Sequence, residues 1–166
     1  MKRLILVRHS KTEHYNFEVT DFERSLTKRG KSDAGIIAEQ LKSKGVVPDY
    51  FISSKAKRAL QTTSVFAETM EFPEKKVNVQ QFLYNGYTTN EFLNFISTID
   101  NTYNTIIVIA HNPGIATLAS NLSDEEFYHF PTTATAVIDF DTDKWDRINP
   151  REGKVHLFLY PRIFKE

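Results

Sequence analysis

The stretch Thr105-Ile-Ile-Val-Ile-Ala110 narrows what this chain can fold into more than any other feature. It is continuously apolar and mostly β-branched, so both alternating faces of the strand it forms must be covered. A parallel sheet packed between helices supplies that environment. The rest of the sequence agrees, because short strand-like runs alternate with stretches of helical period. The other strands are expected at Leu4 to Val7, Tyr50 to Ile52, Val77 to Leu83, Ala134 to Phe140 and Lys154 to Tyr160.

Between them, Thr27 reads as the N-cap of a helix with Ala34, Ile37, Ala38 and Leu41 on one face and Gly45 closing it. Ser53 and Ser54 are candidate caps for a second helix that carries Ala56, Ala59, Leu60 and Thr63. Thr89 opens a third, with Phe92, Leu93, Phe95, Ile96 and Ile99 facing the core, and Asn112 with Pro113 supplies a cap and a first helical residue for a fourth. The reading is an α/β domain with a mostly parallel sheet covered on both faces. At 166 residues and 40% hydrophobic, the chain builds one core, so residues 1–166 are expected to form a single domain.

Lys and Arg total 21 and Asp and Glu also 21, so no overall field recruits nucleic acid or an anionic membrane surface. An anionic ligand must be gripped locally. The absence of cysteine excludes disulfides, thiolate metal sites and a cysteine nucleophile. The apolar run after the starting Met-Lys-Arg is too short for a signal sequence, and no run approaches a membrane span. A cytoplasmic location is therefore expected.

In an open parallel sheet, ligands bind beyond the carboxyl ends of the strands. The first strand delivers Arg8 and His9 there, the second Ser53 and Ser54 with Arg58 a turn and a half into the helix, and the third His111 and Asn112. Taken singly, each has a bland reading as a surface arginine or a structural histidine. Their common placement at three strand ends does not. Arginine forks match phosphate oxygens, so Arg8 and Arg58 form the clamp, with help from the helix start after Ser54. A neutral imidazole is a nucleophile when its second nitrogen is fixed by an acceptor. His9 suits that role, while His111 donates to a phosphoryl oxygen.

Four segments together, Arg8-His9, Asp21-Phe-Glu-Arg24-Ser-Leu-Thr27-Lys-Arg-Gly30, Ser53-Ser54-Lys-Ala-Lys-Arg58-Ala-Leu-Gln-Thr62 and His111-Asn-Pro-Gly114, resemble the histidine phosphatase (phosphoglycerate mutase-like) superfamily. The shortness of the chain makes it most similar to the SixA-type phosphohistidine phosphatases. The resemblance implies a three-layer α/β/α sandwich and a two-step reaction through phosphohistidine at His9. It puts Arg8, Arg58 and His111 around the phosphate, with Arg24 as a further contact or a structural residue. No cofactor or metal is implied, and the expected partner is a phosphorylated protein, such as a phosphorelay domain, or a small phosphorylated molecule.

Two departures stand out. Ser10 replaces the glycine that usually follows the nucleophile, and its hydroxyl either bonds locally or touches phosphate. The mutase-type branch carries a glutamate proton donor where this chain has Phe82-Leu-Tyr-Asn-Gly86, which holds no carboxylate. Glu13, Glu18, Asp21 and Glu23 are the alternative donors. A missing acid favours P–N over P–O substrates, because a leaving imidazole is protonated near neutral pH unaided. The competing readings are a broad phosphomonoesterase of the same fold, a phosphate-binding module without turnover, and a metal hydrolase built on His9, His14, His111 and a carboxylate. Two arginines in the crevice weigh against the last of these.

Overall fold

A computed structural model describes residues 1–165. Six strands form one sheet in the order β3-β2-β4-β1-β5-β6. They are β1 (Lys2–Arg8), β2 (Tyr50–Ser54), β3 (Asn78–Gln80), β4 (Thr105–Ala110), β5 (Thr135–Phe140) and β6 (Lys154–Leu159). β1, β2, β3 and β4 run parallel; β5 is antiparallel to both β1 and β6, so only β5 opposes the rest. The helices are α1 (Lys28–Ser43), α2 (Lys57–Thr69), the single turn α3 (Phe82–Asn85), α4 (Thr89–Ile96) and α5 (Gly114–Leu122).

The three layers follow from the alternation of side chains along the two central strands. Leu4 and Leu6 of β1 with Ile106, Val108 and Ala110 of β4 face α4 and α5, where Phe92, Ile96, Ile115, Leu118 and Leu122 are buried. Ile5, Val7, Ile107 and Ile109 point the other way, onto Ala34, Ile37, Ala38 and Leu41 of α1 and Phe66 of α2. Both faces of β4 are thus dry, as its continuous apolar run requires.

Local chemistry sets the helix ends. Thr27 caps α1 by accepting from the Gly30 N–H at 2.9 Å. At the other end Gly45 takes φ +74°, and Val46 and Gly45 donate back to the Leu41 and Lys42 carbonyls, which satisfies two otherwise unpaired groups. Thr88 and Glu91 form a reciprocal capping box on α4.

Three expectations need correction. Ser53 and Ser54 belong to β2, and the residue preceding α2 is Ala56, which has no side chain to cap with. Pro113, not Asn112, precedes α5, and Asn112 instead turns its amide to the Phe130 carbonyl at 2.8 Å. The extended segment after Val77 is short, because the chain turns into α3 at Phe82. On α4 and just beyond it the expected face holds: Phe92, Ile96 and Ile99 are buried, and the half-buried Leu93 and Phe95 pack against the same core.

The loop around Trp145 closes one end of the core. The indole lies beneath Lys2, whose ammonium sits 5.2 Å from the ring centroid. That ammonium donates to the Asn101 and Tyr103 carbonyls and to Asn104 Oδ1 at 2.6–2.9 Å. Among the described residues, no helix is long and apolar enough to cross a membrane.

Candidate active site

The parallel register of β1 and β4 pairs Arg8 with Ala110, so His9 and His111 leave the sheet side by side. The His9 N–H donates to the Ala110 carbonyl at 3.0 Å, and the two imidazoles stand 5.1 Å apart, centroid to centroid. β2 ends on the far side of β4 and feeds Arg58 in from the first turn of α2. β5 runs the opposite way, so the loop before it, with Phe130 and Thr133, reaches the same edge. Of the residues read from the sequence, Arg8, His9, Ser10, Arg58 and His111 converge there.

His9 is 6% exposed, and its Nδ1 lies 2.8 Å from the Ser10 carbonyl. A carbonyl only accepts, so Nδ1 carries the proton and Nε2 keeps its lone pair. Burial pushes the His9 pKa down to about 3 against the pull of the Ser10 carbonyl, with His111, Arg58 and Arg8 adding to the drop. The imidazole is therefore neutral over the physiological range. His111 is likewise pushed down to about 4, by burial first and then by Arg58 and Arg8, which Asp21 partly opposes.

Each arginine is held by part of its fork. Arg8 Nη1 donates to the Phe130 carbonyl at 3.1 Å. Arg58 Nη1 donates to the Asp21 carbonyl at 2.7 Å and Nη2 to Asp21 Oδ2 at 3.1 Å. The Nε atoms of both arginines, together with His111 Nδ1, are buried without a hydrogen-bond partner among the described residues. Orphaned buried cationic donors are costly. A phosphoryl group, with its several acceptor oxygens, suits this set.

Ser10 is fully buried and its hydroxyl pairs with Thr133 Oγ1 at 2.7 Å, so of the two alternatives the local bond is the one formed. The Ser10 N–H donates to Thr62 Oγ1, which in turn donates to the Arg58 carbonyl. Thr133 adopts φ +64°, unusual for a β-branched residue. Its N–H lies 3.1 Å from both the Arg8 and His9 carbonyls, a fixed bracket across the loop that carries His9.

Among the four acidic candidates, Asp21 is the one that reaches the site. Its Oδ2 accepts from Arg58 and from the Tyr84 hydroxyl at 2.9 Å, and Arg24 Nε lies 3.3 Å from Oδ1. Arg24 thus joins the crevice through Asp21. Tyr84 also packs edge-on to His111 and beneath Arg58. Partial burial pulls Asp21 toward the neutral acid, but Tyr84, Arg58 and Arg24 outweigh it and hold the carboxyl below the usual carboxylate range. Burial and Asp21 push the Tyr84 hydroxyl up.

Thr133 and Tyr84 were missed from the sequence. Thr133 acts through a backbone conformation that a Thr-Thr pair does not advertise. Tyr84 lies in the stretch noted for lacking a carboxylate, and the carboxylate arrives beside it from another loop. Among the described residues no three His, Asp or Glu side chains group as metal ligands.

Residues 4–81, a little under half of the chain, match the model of the histidine phosphatase superfamily (branch 1). The whole chain has that superfamily's fold. It superposes on the protein histidine phosphatase SixA complexed with tungstate with a TM-score of 0.84 at 22% identity, covering 98% of this chain and 99% of the other. A putative phosphohistidine phosphatase SixA from Agrobacterium tumefaciens gives a TM-score of 0.81 at 24% identity over 96% and 98%. By sequence, an uncharacterised chloroplastic protein of Arabidopsis thaliana is 33% identical over 129 residues, 74% of this chain. The chain spans 59% of that relative's length.

Proposed function

We propose that the chain is a phosphatase that carries the phosphoryl group on His9 as a covalent intermediate, needs no metal, and acts on phosphohistidine in a protein. The observation that carries this reading is the His9 Nδ1 contact with the Ser10 carbonyl, which leaves Nε2 unprotonated in a crevice with two arginines and a second neutral histidine. In the first step Nε2 attacks phosphorus, a new P–N bond forms, and the bond to the leaving nitrogen breaks with its electron pair passing to that nitrogen. Water then attacks the phosphohistidine, releasing phosphate and restoring the neutral imidazole. Arg8, Arg58 and His111 stabilise the charge on the transferring oxygens, a type of contact that is worth about 10²–10³ in kcat for a single donor. Ser10 and Arg24 act one step removed, through Thr133 and Asp21.

The preference for P–N substrates is supported by the state of the acids near the crevice. Asp21 is held ionised and the Tyr84 hydroxyl is a weak acid, so neither is a ready proton donor to an alkoxide. An imidazole leaving group takes its proton from water. The similar SixA structures are named a protein histidine phosphatase and a putative phosphohistidine phosphatase, which supports this choice.

The test is phosphate release from a phosphohistidine-bearing protein and from an aryl phosphate, by wild type and His9→Ala, with chelator present throughout. Faster release from phosphohistidine and a dead variant are expected. Cleavage of the aryl phosphate alone would keep the mechanism and replace the substrate class with phosphomonoesters. Full activity in His9→Ala would overturn the reading.

A further inference from the structure

His111 has two ring nitrogens in different situations. Its Nε2 lies 2.7 Å from Ser54 Oγ, whereas Nδ1 is buried with no partner among the described residues. The tautomer therefore decides whether the crevice receives a hydrogen-bond donor or an acceptor. Only a donor helps an anion.

The proton count around Ser54 resolves the choice. Ser54 is fully buried at the end of β2, and its Oγ already accepts from the Ala56 N–H at 3.2 Å. A buried hydroxyl must also place its own proton. Among the described residues the other hydrogen-bond partner of Ser54 Oγ is His111 Nε2. The neighbouring hydroxyls are committed elsewhere, since Ser53 Oγ donates to the Ser54 carbonyl at 2.9 Å and accepts from Thr63.

We infer that Ser54 is a positioning residue for the proposed reaction: it donates to His111 Nε2, fixes the Nδ1–H tautomer, and thereby makes His111 a neutral hydrogen-bond donor to the phosphoryl group. Ser54 itself does not touch the substrate. The inference deepens the reading of the site as a phosphatase and rests on it for the catalytic consequence, while the tautomer is a property of the free protein. The low basicity of His111 agrees with a ring that donates one proton and carries no charge.

Histidine ¹⁵N–¹H multiple-bond spectra at pH 7 test the tautomer in the wild-type protein before any variant is made. A pyrrole-like Nδ1 and a pyridine-like Nε2 for His111 are expected. In Ser54→Ala the Nε2 signal should move toward the pyrrole-like range as the two tautomers mix, and kcat on a phosphohistidine protein should fall on the order of tenfold, with KM changing less. Ser54→Cys, which keeps the shape and a weak donor, should lie between the two. A wild-type spectrum with the proton on Nε2, or an unchanged tautomer in a folded Ser54→Ala protein, would overturn the inference. If the spectra behave as expected and wild type hydrolyses no phosphorylated substrate, the tautomer assignment stands and the phosphatase reading fails.

Discussion

Lowering the pH from 7 to 5 should cost this protein an unusual share of its stability, and two buried residues account for it. His9 and His111 have an ordinary value of 6.5 in the unfolded chain and are held at about 3 and about 4 in the folded one. A base whose folded value is depressed binds fewer protons folded than unfolded. Its contribution is complete above the unfolded value and declines as pH falls from 6.5 toward the folded value. Each such group forfeits about 1.4 kcal/mol per pH unit inside that window. By pH 5 that is about 2 kcal/mol for each histidine and about 4 kcal/mol for the pair, against a total of about 5–15 kcal/mol for a typical domain. Asp21 contributes with the same sign only at lower pH, because the unfolded carboxyl takes up its proton only near the ordinary value of 3.8, below the range tested. Urea unfolding at pH 7 and pH 5, at constant ionic strength, should therefore show wild type losing about 4 kcal/mol and His9→Asn about 2 kcal/mol. Equal losses in the two proteins would refute the argument that buried, neutral His9 is linked to folding.

Asp21→Asn removes a carboxylate from Arg58 while leaving the backbone carbonyl that also holds the guanidinium. Inhibition by inorganic phosphate should strengthen about threefold, in line with a half-exposed ion pair; a weaker inhibition would mean that the carboxylate chiefly aims Arg58. Gly30→Ala would put a Cβ 2.2 Å from the Lys11 carbonyl oxygen, which is backbone and belongs to the loop just after His9. A loss of about 2 kcal/mol in urea unfolding, together with reduced turnover, is expected. Lys2→Met keeps the apolar stem but leaves the Asn101 carbonyl and Asn104 Oδ1 without their donor, while the Tyr103 carbonyl keeps the Trp145 indole N–H, and thermal unfolding should report a loss of about 3 kcal/mol.

The sheet was legible because burial on both faces leaves a direct mark on composition, which is why β1, β4 and their layers follow from apolar runs alone. The crevice was legible for a related reason: parallel strands deliver whatever follows them to one edge, so Arg8, His9, Arg58 and His111 could be placed together from the order of elements. Contacts made across the chain left no such mark. Ser54 read as a helix cap because serine before a helix usually caps it, yet its hydroxyl is turned to His111, 57 positions away. Asn112 read as a cap for the same reason, and a carbonyl 18 positions on claims its amide. Asp21 was one of four equivalent acids until the fold brought Arg58 and Tyr84 to it. The positive φ of Thr133 follows from the two carbonyls it must bracket, which the sequence does not display.

The chain of bonds from the Ser10 N–H to Thr62 Oγ1 and on to the Arg58 carbonyl has a mechanical meaning. It works as a ruler. The separation between the His9 loop and the start of α2 is set by a single threonine on a rigid helix, while the long loop from Lys11 to Leu26 that joins β1 to the first helix contributes Asp21, which holds the guanidinium end of Arg58. Outside that Asp21 contact the loop is free to change in size and sequence, while the distance between His9 and the backbone of Arg58 stays the same.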